Sequence, residues 1–145
     1  MRRGRSLAVS IFVATVAVVP FTGSASAVES LTIEVSDTGA LVAKGLRVTV
    51  PVTVTCTPSP EALNTSAGTN VFITQRRGSS IVQGNGIGQD VACDGTAHTY
   101  IVTVVASGRP FKAGEAIATA TATACDEFGC DFFDIRDTEV IRIRN

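Results

Sequence analysis

Residues 46–56 read LRVTVPVTVTC, and the phase of this run decides the fold. Leu46, Val48, Val50, Val52, Val54 and Cys56 occupy one parity, and Arg47, Thr49, Pro51, Thr53 and Thr55 the other. A period of two is that of a half-buried strand, whose successive side chains point to opposite faces. The run is therefore an amphipathic strand whose last inward residue is a cysteine. Pro51 has no N–H to give to a ladder, so the strand is expected to lie at an edge there, or to bend and switch sheets.

The same period recurs on both sides. Leu31, Ile33 and Val35 alternate with polar neighbours, and further strands are expected at NVFITQRR (70–77), QDVAC (89–93), HTYIVTVV (98–105), AIATATATAC (116–125) and TEVIRIR (138–144). In AIATATATAC the alanines 116, 118, 120, 122 and 124 take one face and threonines 119, 121 and 123 the other. Alanines facing inward require bulk from across the core, for which Phe72, Phe111 and Tyr100 are the candidates. Gly78-Ser79-Ser80 suits a turn and Gly84-Asn85-Gly86 a hairpin tip, while 57–68 reads as an irregular loop. About seven short strands with no sustained helical period predict an all-β, antiparallel immunoglobulin-like β-sandwich, with a small closed barrel as the rival architecture.

The chain opens with Arg2, Arg3 and Arg5, an apolar stretch from Leu7 to Val19, Pro20, and then Ala25-Ser26-Ala27. This is the pattern of a secretory signal cleaved after Ala27, and the apolar stretch is short for a bilayer span. A single domain is then expected over 28–145, secreted and without a lipid anchor. Removing the three leader arginines from 12 basic groups leaves nine against 13 acidic ones, a formal charge of −4. A mildly acidic domain with no basic stripe argues against nucleic acid as a partner, and no membrane partner is expected once the leader is gone.

Four cysteines in an exported chain predict two disulfides. Cys56 ends an inward face and Cys93 shares its face with Val91, whereas Cys125 lies on the threonine face, five residues before Cys130. Parity therefore pairs Cys56 with Cys93 and Cys125 with Cys130. In the chain-entropy account these closures stabilise by about 4 and about 2 kcal/mol. Cys93, His98, Cys125 and Cys130 would suit zinc chemically, but their spacing matches no finger or ribbon, so no metal site is assigned.

The segment CDGTAHTY (93–100) holds the chain's one histidine and one tyrosine. Asp94 could orient His98 as a base, yet none of Ser79, Ser80 and Ser107 has the glycine-flanked setting of a nucleophile elbow. The simpler reading gives Asp94-Gly95 to a turn and hydrogen-bonds the His98 ring to that loop. Gly84-Asn85-Gly86-Ile87-Gly88 lacks the Lys-Ser/Thr ending of a phosphate loop. DEFGCDFFDIRDTE (126–139) is acidic without the ordered spacing of a calcium loop, and a small domain without tryptophan makes a poor sugar-cleaving cleft. No catalytic residue and no cofactor are assigned. Phe128, Phe132 and Phe133, in and beside a cystine-closed loop, are the candidate interaction surface.

VTVTC, then VACDGTAHTYIVTV, then FKAGEAIATATATAC resembles a family of small secreted actinobacterial immunoglobulin-like proteins of unknown function, over Leu46 to Cys125. The resemblance implies fold and secretion, and no activity; Tyr100 stands where that family more usually has tryptophan. A weaker resemblance is to the neocarzinostatin-type apoproteins, which are acidic, secreted, of similar size, and carry two disulfides, one closing a tight loop. The Cys56–Cys93 interval departs from that pattern. The size and cysteine number are also similar to those of secreted subtilisin inhibitors, whose cysteine spacing differs. The expected function is a non-enzymatic extracellular interaction or structural module, its partner an extracellular protein or a small apolar ligand. The alternatives are a carrier of a small apolar molecule and a protease inhibitor acting through the loop 57–68.

Overall fold

The computed structural model describes residues 28–127 and 129–145, without the side chains of 131–135, so the expected leader 1–27 lies outside the described residues. Nine strands follow in order: β1 (Val28–Val35), β2 (Thr38–Val42), β3 (Arg47–Pro58), β4 (Ser66–Arg77), β5 (Ser80–Ile87), β6 (Val91–Ala92), β7 (Ala97–Ser107), β8 (Gly114–Asp126) and β9 (Gly129–Arg144). The chain is all-β, as its period-two patterning requires, and carries two disulfides.

The hydrogen-bond ladder runs β3–β2–β9–β8–β4–β5–β7 and returns from β7 to β3. The sheet thus closes as a seven-strand barrel, the rival architecture, and the ladder does not divide into the two separate sheets of the expected sandwich. Every contact in the ring is antiparallel except the short parallel one between β2 and β9. Closure removes sheet edges, which would otherwise offer unpaired backbone groups to other chains.

β3 explains how the ring is sealed on one side. Its first residues pair with β2 and its later ones with β1, both along one edge, while the other edge pairs with β7 throughout Arg47–Thr55. Pro51 stands at the junction of the two partners, where its carbonyl accepts the Ser36 N–H at 3.0 Å. The missing proline N–H therefore falls where β1 gives way to β2, and in place of the expected edge or sheet switch β3 changes partner along one side while Pro51 stays paired with Ile101 on the other.

β5 seals the other side. It pairs with β4 along its length and with β7 through Gln83–Asn85 against Val105–Ser107. The hairpin tip expected at Gly84-Asn85-Gly86 is instead the middle of this strand, and the chain turns before it, at Gly78 and Ser79. The physical reason is proximity. A Cβ on Gly84 would stand 2.4 Å from the Val105 carbonyl oxygen, and one on Gly86 2.4 Å from that of Thr103. Only glycine lets β5 cross this close to β7, the corner function that glycine has in small barrels.

The interior is filled by side chains. Val48, Val50, Val52 and Val54 are fully buried, as are the β8 alanines from 118 to 124 within 1%; each valine contributes about 1.5 kcal/mol or more. Of the bulky residues expected in the core, Phe111 and Tyr100 are buried there, whereas Phe72 is 47% exposed and points outward. Leu46, expected on the inward face, is 53% exposed, because β3 starts one residue later. The residues before it, Ala43, Lys44 and Gly45, all have positive φ (52°, 57° and 86°). For the two L-residues that backbone costs about 1–2 kcal/mol each, and Phe111 N–H bonding to the Gly45 carbonyl at 2.8 Å helps hold it.

One buried polar side chain has a positioning role. Gln75 on β4 donates from Nε2 to the Lys112 carbonyl at 2.8 Å and accepts the Lys112 N–H on Oε1 at 2.9 Å. It thereby pins the segment that follows Phe111, and both ends of a buried amide are satisfied, as burial demands.

Candidate functional site

Cys56 pairs with Cys93 and Cys125 with Cys130. The first bridge ties the end of β3 to the segment just after β6, and the second joins directly opposite residues of the β8–β9 hairpin. With all four thiols in cystine, none is left to ligate a metal. Phe128 lies outside the described residues, and so do the side chains of Phe132 and Phe133; their backbone belongs to β9.

The histidine segment folds into a local cluster. Asp94 Oδ1 accepts the Thr96 N–H at 2.9 Å and the Thr96 hydroxyl at 2.7 Å, and lies 3.0 Å from His98 Nε2. This is an Asx-type turn with Gly95 at φ 78°. The Thr96 hydroxyl, then the Thr96 N–H and the His98 ring, hold the Asp94 carboxyl at about 2, well below its ordinary value. A carboxylate engaged three times by neighbours within its own turn stabilises that turn. The remaining Tyr100 hydroxyl bonds to Thr69 inside the barrel, where burial raises its pKa.

A broader surface is formed by the outward residues of β5, β4, β8 and β9. The register sets Gln83, Thr74, Ile117 and Val140 in one row across the four strands, and Asn85, Phe72, Thr119 and Thr138 in the next. Thr119 and Thr138 hydroxyls bond across the strands at 3.2 Å. Phe72, Ile117 and Val140 are each about half exposed or more, and Ile81 is 65% exposed beside Arg76. Thr74, Ile81, Ile117 and Val140 line an open depression of about 570 Å³ on this face. Neighbouring side chains on a sheet face lie within contact distance directly and along diagonals, so these residues form one patch.

Sequence reasoning missed this patch, although the signal was present. Phe72, Ile117 and Val140 each stand out of phase with the inward apolar set of their own strand. An apolar residue on the polar parity is ordinary once; three on adjacent strands, Ile117 and Val140 paired and Phe72 on the diagonal, make a surface. The loop between β3 and β4 is also shorter than expected, covering 59–65, and it exposes Leu63. No protein-family model and no curated protein matches the chain.

Proposed function

We propose that this chain is a secreted, non-enzymatic β-domain that works by binding an extracellular partner through the outer face of β4, β5, β8 and β9. The observation that carries the reading is the patch of Phe72, Ile117 and Val140, large apolar side chains that the barrel leaves in water on its broad face. The two disulfides support an oxidising compartment, in which such bridges persist. Within this proposal the closed sheet is read as a flattened, immunoglobulin-like one, with β1, β3 and β7 facing β9, β8, β4 and β5. The inward alanine row of β8 supports that reading, because small residues let β1 lie close across the core.

A photo-crosslinker placed at position 117 in the exported protein tests the assignment against the same probe at Ile101 on the opposite face. The expected result is a discrete protein adduct from 117 and none from 101. Equal labelling from both positions, or none from 117, contradicts it. A second reading, carriage of a small apolar molecule, is favoured by the open depression beside Ile81, Ile117 and Val140. Native mass spectrometry separates the two: protein isolated from its source would carry a small added mass that Ile117→Thr removes.

A further inference from the structure

The formal charge of the processed chain hides a polarity that the topology creates. β3, β5 and β8 start at one end of the barrel, where β4, β7 and β9 finish, so residues from distant segments meet there. The turn before β3, the β4–β5 turn and the β7–β8 connection bring Lys44, Arg47, Arg76, Arg77, Arg109 and Lys112 to one end. The other end gathers Glu29, Glu61, Asp90, Asp94, Asp126 and Glu127, and among the described residues it carries no lysine or arginine. β3 alone, at about 3.3 Å per residue, sets the two ends some 30–40 Å apart. That is several Debye lengths at physiological salt, where the length is about 8 Å, so a surface touching the basic end does not feel the acidic one.

The cations are free to act. The three arginines with recorded partners use uncharged ones: Arg76 donates to the Gly78 carbonyl, Arg77 to that of Pro110 and Arg109 to the Ser80 hydroxyl. None of the six makes an ion pair among the described residues, although Glu115, the second residue of β8, lies at the same end opposite Arg142 of β9. Lys44 and Lys112 flank an open depression of about 580 Å³ floored by Leu41 and Phe111. Between the cations stand exposed apolar side chains. Val42, Arg47 and Val105 form one row across β2, β3 and β7, and Leu46 projects beside them from the left-handed turn.

We propose that this basic end docks on an anionic phospholipid surface, with headgroup phosphates taken between Lys44 and Lys112 and with Val42 and Leu46 entering the headgroup layer. The apolar side chains decide for a lipid layer over a soluble polyanion, which would use the cations and gain nothing from Leu46. The sequence led to no expected membrane partner because no apolar segment follows the leader, and a net charge averaged over the chain does not show a basic end that the topology assembles. The acidic end would be repelled if it were the one to approach, so only the basic end can make the contact.

The test is co-sedimentation of the oxidised chain from Val28 onward, which holds every strand of the described residues, with vesicles of phosphatidylcholine alone or mixed with phosphatidylglycerol. Binding is expected to the mixed vesicles only, falling with salt. Lys44→Glu, Arg47→Glu and Lys112→Glu together should weaken it by more than about 100-fold, at about fivefold per charge removed and more for reversal. Leu46→Ser should weaken vesicle binding severalfold with an unchanged melting temperature. Absence of binding to mixed vesicles, or binding that the triple variant retains, overturns the proposal. So does binding to soluble polyphosphate without vesicle binding, which would assign the end to a polyanion.

Discussion

Gly84 and Gly86 show how much of this fold rests on atoms that are missing. Their hydrogens face backbone carbonyls of β7 at distances no Cβ tolerates, so Gly84→Ala or Gly86→Ala should cost about 3 kcal/mol through forced backbone movement. Gly78, at φ 60° with open space around it, is the control, and its alanine variant should cost about 1 kcal/mol. Urea unfolding of the three variants checks the order. In the sequence these glycines read as a turn, because the composition of GNGIG is that of a turn and the reason for it lies some twenty residues away on β7. Asp94 is local, and its place in a turn beside His98 was legible. Its folded carboxyl at about 2 lies below the ordinary 3.8, so it favours the folded state above pH 3.8 and that contribution is lost as the pH falls through 2. Carboxyl NMR titration should give Asp94 a midpoint near 2, and Thr96→Val should move it up toward 3.8, since the Thr96 hydroxyl is the largest cause.

At the scale of elements, parity was the reliable guide. The valines of β3 and the alanines of β8 are buried as their period requires, and the cystine partners follow from which face each cysteine shares. Parity also contained the apolar patch, in the residues that break it. Those exceptions became a surface only through cross-strand register, which no single strand reveals. The two bridges should differ in weight: Cys125→Ser with Cys130→Ser should cost about 2 kcal/mol and Cys56→Ser with Cys93→Ser about 4, the closed loops being short and long. Chemical denaturation of the two double variants measures this. Gln75 links elements instead of forming one; Gln75→Leu leaves the Lys112 N–H and carbonyl without their partner and should cost about 1–3 kcal/mol, with faster amide exchange at Lys112.

For the whole molecule, the closed ladder does the sorting. It encloses a filled interior, turns Phe72, Ile117 and Val140 to one broad outer face, and gathers six cations at one end and six carboxylates at the other. The polarity was not legible, because it depends on the order in which the strands are joined around the ring. Both the apolar outer face and the basic end stand on that order, and it rests on the seam where β5 meets β7. The direct measurement is a nuclear Overhauser spectrum of the oxidised domain, read at the backbone protons of Asn85 and Val105 and of Gly84 and Ala106. A closed sheet predicts cross-strand contacts at both pairs, with slowed amide exchange along the seam. Exchange as fast as in the loops, with no cross-strand contact at either pair, would show two sheets with an open edge and contradict the account.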